Sequence, residues 1–183
     1  MKAKSLQFLL LIFLLGILCC EKDKVDKNEP YDKNMTAIAT QGNIVWVGTK
    51  GNGLYKLEGG EWINYTNSEG LLSNQISSLV IDNEGKLWIG TNIGGSKFSN
   101  DVWTRYVTSD GLVNEYVTCI TEDQQNNIWI LTQEGFFNYD HAEWFGYMIH
   151  NGLFNNIITA IACDHNNEIW VGPAEGLIKF PIN

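Results

Sequence analysis

Residues 81–91 read Ile-Asp-Asn-Glu-Gly-Lys-Leu-Trp-Ile-Gly-Thr. Asp, Asn and Gly close tight turns, whereas Leu, Trp and Ile suit a pleated, half-buried surface, so the block is half of one β-hairpin followed by its return strand. The pattern comes back along the chain. Asp123-Gln124-Gln125-Asn126-Asn127 precedes Trp129, and Asp164-His165-Asn166-Asn167 precedes Glu168-Ile169-Trp170-Val171-Gly172.

Working outward from that block exposes a period. Trp46, Trp88, Trp129 and Trp170 are spaced by 42, 41 and 41, and Trp62, Trp103 and Trp144 by 41 and 41. These two registers hold all 7 tryptophans. Gly53, Gly94, Gly135 and Gly176 follow the same interval, as do Gly70, Gly111 and Gly152. The extra residue at the first tryptophan is absorbed by Lys50-Gly51-Asn52. Each repeat has a first strand (Ile76 to Ile81, Val117 to Thr121, Ile158 to Cys163) and a second around the first-register tryptophan. A third begins at the recurrent Gly (Gly94 to Phe98, Gly176 to Phe180), and a fourth carries the other tryptophan (62–65, 103–106, 144–147). No segment of useful length keeps a helical period free of Gly and Asn.

Four strands in each repeat of roughly 40 residues make the blade of a β-propeller. The expected fold is all-β, a propeller of about four blades over 35–75, 76–116, 117–157 and 158–183: three complete four-stranded repeats and a three-stranded fourth. The tryptophans are assigned to the core, where each supplies roughly 150 to 250 Å² of burial between neighbouring blades.

At this point the motifs resemble a known family. Residues 81–91, Glu168 to Gly172 with Gly176-Leu177, and Asp110-Gly111-Leu112 are similar to the two-component regulator propeller repeat. That resemblance implies a sensor-type ligand-binding propeller of the kind found in periplasmic regions of bacterial hybrid histidine kinases, many of which respond to polysaccharide breakdown products. Such sensors carry many more blades. Here the position one repeat before Trp62 is Glu21, and no apolar strand precedes the domain to complete the last blade. Two arrangements are therefore expected: four blades closing on themselves, or open arcs that expose apolar sheet faces and associate with one another.

The N-terminal segment has a different logic. Lys2 and Lys4 precede an apolar run from Phe8 to Leu18, shorter than the roughly 20 residues a membrane span needs. Ile17-Leu18-Cys19-Cys20 resembles the lipobox of bacterial lipoproteins, with Cys20 as the lipidated residue. Residues 1–20 are read as a lipoprotein signal peptide and 21–34, EKDKVDKNEPYDKN, as a charged flexible tether. The expected address is export, with a lipid anchor in the cell envelope, at the outer membrane.

Composition limits the function. The 183 residues carry 12 Lys plus Arg against 21 Asp plus Glu, a net charge of -9, with Arg105 the single arginine. A polyanion partner is disfavoured, because phosphate binding needs clustered cations. No catalytic or cofactor motif is present, and the chain is read as a binding protein rather than an enzyme. His141, His150 and His165 fall at unrelated offsets, so no metal or other cofactor is expected. Asp82, Asp123 and Asp164, each one repeat from the next, read as caps of their own turns rather than as a carboxylate ring. Cys119 and Cys163, at different repeat offsets, read as two small apolar side chains rather than a disulfide. Arg105, Gln133, Glu134 and His141 are the polar residues that break the repeat. They do not define a ligand site, and the ligand-binding residues stay unknown at this level.

Three functional readings are compatible with this: a propeller that binds a glycan fragment, an interaction module for itself or another envelope protein, and a truncated remnant of a longer sensor. The anchor has a direct check. Metabolic palmitate labelling is expected to mark the chain and to be lost in Cys20→Ala; a labelled Cys20→Ala chain would remove the lipoprotein reading.

Overall fold

The computed structural model describes residues 34–111, 116–148, 158–173 and 176–180. The proposed signal peptide, Cys20 and nearly all of the tether lie outside these residues, as do Leu112, His150 and Gly152.

Among the described residues, fifteen strands follow the repeat. The first sheet is β1 (Met35–Gln41), β2 (Ile44–Thr49), β3 (Leu54–Glu58) and β4 (Glu61–Tyr65); the second is β5 (Ile76–Ile81), β6 (Leu87–Thr91), β7 (Gly94–Ser99) and β8 (Val102–Tyr106). The third holds β9 (Val117–Glu122), β10 (Ile128–Thr132), β11 (Gly135–Tyr139) and β12 (Trp144–Met148), and the fourth β13 (Ile158–Cys163), β14 (Ile169–Pro173) and β15 (Ile178–Phe180). Each sheet is an antiparallel meander in chain order. The architecture is the expected one: three four-stranded blades and a three-stranded fourth.

Strand register explains which side chains meet. In the second sheet Val80, Trp88, Lys97 and Thr104 lie across from one another and share one face, while Leu79, Ile89, Ser96 and Arg105 share the other. The first set faces the third sheet and the second set faces the first sheet. Every junction repeats this. Trp46 and Leu54 pack against Leu79, Leu87, Ile89 and Phe98; Trp88 and Tyr106 against Ile120, Ile128, Ile130 and Phe137; Trp129, Leu131 and Phe136 against Ile161, Ile169 and Val171. Each sheet therefore has a trailing face, centred on tryptophan, and a leading face, rich in aliphatic residues. The inner strands β1, β5, β9 and β13 pack in succession, and the four sheets form an arc that does not close among the described residues. Of the two arrangements expected, the open one is observed.

Two recurrent features set the spacing. A Cβ added at Gly48 would lie 2.5 Å from the Ile76 side chain, and one at Gly90 would lie 2.7 Å from Val117. Gly at these positions lets the next inner strand approach the trailing face. The second feature is a clasp. Oδ2 of Asp82, Asp123 and Asp164 accepts the indole N–H of Trp88, Trp129 and Trp170, in each case at 2.8 Å. Oδ1 accepts backbone N–H groups two and four residues on. The carboxylates do cap their turns, as expected, and also anchor the tryptophan six residues later.

Asp123 is 2% exposed, so removing its carboxylate strands an indole and two amide donors. Asp123→Ala is expected to cost about 3 kcal/mol, lowering the melting temperature by roughly 6–12 °C; an unchanged denaturation curve would refute the clasp. Asp164 adds a pH signature. Its carboxyl is held below the ordinary range, first by the Trp170 indole N–H and then by the Glu168 backbone N–H. A lowered folded-state value means stability present above the unfolded-state value, about pH 4, that is lost as pH falls through the folded one. The stability gap between wild type and Asp164→Asn should therefore narrow below about pH 4; a gap constant with pH would contradict the assignment.

Candidate functional site

The inner strands begin side by side at one end of the arc, and hydroxyls tie them together there. Thr36 Oγ1 donates to the Ile76 carbonyl at 2.7 Å, and Ser77 Oγ donates to the Val117 carbonyl at 2.6 Å. Lys50, just beyond β2, pairs with Gln75 in an isolated antiparallel bridge, and its backbone N–H donates to the Asn34 carbonyl at 2.9 Å. Ser73 Oγ donates to Asn92 Oδ1 at 2.6 Å, which fixes the Asn92 amide beyond β6. Together with Tyr116, 43% exposed, these groups enclose a hollow of about 330 Å³ lined by Thr36, Lys50, Gln75, Ile76, Ser77, Asn92 and Tyr116.

Its chemistry is legible from the lining. One ammonium, two carboxamides, two hydroxyls and a phenol ring supply donors, acceptors and an aromatic face. No Asp or Glu is among the lining residues, so the paired carboxylates that glycoside hydrolysis needs are not assembled there.

A second hollow, about 200 Å³, lies at the opposite ends of the first two sheets. It marks the place where the repeat fails. The β1–β2 turn is only Gly42-Asn43 between the paired Gln41 and Ile44, and it carries no Asp to clasp Trp46. Trp46 instead borders the hollow together with Lys56, whose ammonium sits 5.4 Å from the indole centroid and pairs with Glu58 at 2.6 Å. At the next junctions the turns bridge directly. The Asn83 N–H donates to the Glu122 carboxylate at 3.0 Å, and the Gln124 N–H donates to Asn167 Oδ1 at 2.7 Å. Burial raises the Glu122 carboxyl above its ordinary value, opposed in part by that Asn83 N–H.

The repeat-breaking residues named from sequence do not converge. Arg105 Nε donates to the Gly70 carbonyl at 3.1 Å. The His141 ring Nε2 lies 2.6 Å from the Asn126 carbonyl, with its own backbone at φ 72°. Gln133 and Glu134 form the β10–β11 turn, where the Glu134 N–H donates to Thr132 Oγ1 at 3.2 Å. None lines either hollow. Cys119 and Cys163 are half-buried free thiols at the third junction, and burial raises the Cys163 thiol above its usual value. Among the described residues, no group of three or more His, Cys, Asp or Glu could hold a metal ion, and no helix is long and apolar enough to cross a membrane. The hub residues Lys50, Asn92 and Tyr116 escaped the sequence reading because the residue type changes at their repeat positions: Lys50 becomes Asn92, and Gln75 becomes Tyr116.

Comparison with known proteins agrees with this geometry. The two-component regulator propeller family model matches residues 70–92, 111–134 and 152–174, segments that begin one repeat apart. No curated protein matches the chain. Among solved structures, the chain is similar to what is described as the extracellular domain of the hybrid two-component system BT3049 of B. thetaiotaomicron, with 25% identity over 81% of this chain and 22% of that one, at a TM-score of 0.73. For the corresponding domain of BT4673 from the same organism the values are 24%, 81%, 21% and 0.67. The chain thus spans about a fifth of the length of either. Virginiamycin B lyase from Staphylococcus aureus, at 17% identity, 81% and 56% coverage and a TM-score of 0.65, shares the fold alone. The tryptophan and glycine registers, the sheet-by-sheet arc and the three family matches on one period show that this chain carries two-component regulator propeller repeats over residues 70–92, 111–134 and 152–174.

Proposed function

We propose that this chain is a cell-envelope lipoprotein whose sensor-type propeller binds a glycan fragment in the hub hollow. The observation that carries the reading is the lining itself. Lys50, Gln75 and Asn92 present donors and acceptors around a cavity, and Tyr116 adds a ring on which a sugar face can stack. A hollow of about 330 Å³ suits a small ligand rather than a polymer. Similarity to extracellular two-component sensor domains supports a ligand-binding role and an exported location. The lipobox-like Ile17 to Cys20 supports the anchor, and with it an address at the bacterial outer membrane. A lining of ammonium, amide, hydroxyl and phenol groups favours binding over catalysis.

The test is a thermal-shift and calorimetric screen of the full chain in detergent against oligosaccharides from plant, host and microbial polysaccharides. Near 100 times its dissociation constant a ligand should stabilise the fold by about 2.7 kcal/mol. Lys50→Ala and Tyr116→Ala should each weaken that ligand at least about 10-fold while leaving the unliganded melting curve in place. A cooperative melt unmoved by the whole panel, or a bound glycan indifferent to both substitutions, would overturn the reading.

A further inference from the structure

The repeat states what each sheet face is made to meet, and among the described residues two faces are left without it. Met35, Ile76, Val117 and Ile158 occupy one position on the inner strands, opposite Thr49, Thr91, Thr132 and Pro173. Ile76, Val117 and Ile158 are 2%, 0% and 7% exposed, whereas Met35 is 53% exposed. Ile38, Leu79, Ile120 and Ile161 occupy a second position; the last three are at most 8% exposed and Ile38 is 64% exposed. Both departures lie on the leading edge of the first sheet.

The trailing face of the fourth sheet shows the converse. Leu177 stands one repeat after Phe136, and Leu54 holds the same position in the first sheet; Leu54 and Phe136 are fully buried and Leu177 is 66% exposed. Trp170 is half-buried where Trp46, Trp88 and Trp129 are at most 4% exposed. Register then makes the fourth sheet a copy of the first. Ala37 opposite Gly48, Ala39 opposite Trp46, and Lys56 across from that indole become Ala160 opposite Gly172, Ala162 opposite Trp170, and Lys179 across from it. The first set packs on the second sheet with Ile76 against Gly48. The second set presents the same five residues, two Ala, a Gly, a Trp and a Lys, toward solvent, with Lys179 5.9 Å from the Trp170 centroid.

We propose that the trailing face of the fourth sheet in one copy docks on the leading face of the first sheet in a second copy, Met35 seating against Gly172 as Ile76 seats against Gly48. The occupant is this same chain, because both halves of the junction already exist within it and pair three times. A contact between two unlike faces is head-to-tail, and two arcs close it reciprocally into one ring with no face left over. The inference is independent of the glycan reading, since no ligand enters it.

Sedimentation equilibrium of the full chain in detergent tests it. Wild type should dimerise at micromolar concentration. Ile38→Glu and Leu177→Glu each place a charge in both junctions of a closed pair and should weaken association at least about 30-fold. Both side chains are on the surface of the single arc, so circular dichroism and melting of the monomer should stay as in wild type. Mixing the two variants is decisive. One junction of the mixed pair joins an intact Ile38 face to an intact Leu177 face, so the mixture should associate at concentrations where each variant alone is monomeric. A monomeric wild type at 100 µM (roughly 100 times a micromolar dissociation constant), variants that dimerise like wild type, a mixture that stays monomeric, or growth beyond two copies would overturn the proposal.

Discussion

Burial of one sheet face by the next is the constraint on which this molecule depends. A single meander of four short strands cannot cover its own two faces, and each tryptophan of the first register contributes its stabilisation only when a neighbouring leading face closes over it. With roughly 150–250 Å² of side-chain surface at about 25 cal/mol per Å², each such burial is worth at most about 4–6 kcal/mol before the entropy of ordering is set against it. The other devices serve this contact. Gly48 and Gly90 remove the Cβ that would hold the next strand away, Asp82, Asp123 and Asp164 fix the indole plane, and Thr36 and Ser77 tie successive inner strands at the hub.

Because the contact is the same at every junction, departures from it carry the information. The third junction replaces Gly90 by Leu131 and Gly95 by Phe136, both fully buried, and fills with side chains the space that Gly leaves open. The first junction loses the clasp, since a turn of two residues cannot carry a carboxylate back to Trp46, and a hollow remains there. The hub hollow has another origin. It forms where loops of three sheets, which face no partner sheet, surround the starts of the inner strands, and their residues are free to be polar.

The same division decides what sequence could reveal. Strand order and the core role of Trp88 or Trp129 were legible, because each is repeated and repetition cancels local noise. The capping role of Asp82 was legible from turn chemistry. Its bond to Trp88 was not, because i to i+6 contact follows only once the hairpin brings residue 88 back under the turn. The hub site was illegible for another reason: Lys50 and Asn92 hold one repeat position and Gln75 and Tyr116 another, but the residue type changes at each, so the period marks the positions without marking a chemistry. Arg105 and His141 stood out by irregularity, yet the fold commits them to the Gly70 and Asn126 carbonyls. Oddness in a repeat marks drift as readily as function.

The two proposals meet on one strand. Thr36 lines the hub hollow, while Met35 and Ile38, either side of it on β1, form the leading edge of the first sheet. A ligand that grips β1 through the hollow and a second copy that covers β1 from its open face act on the same few residues from different directions. By linkage, any preference of the ligand for a docked β1 must appear as an equal strengthening of docking by the ligand, and a ligand indifferent to docking shifts nothing however tightly it binds. If the ligand prefers one state of β1, that reciprocity alone couples occupancy of the hollow to the number of copies joined.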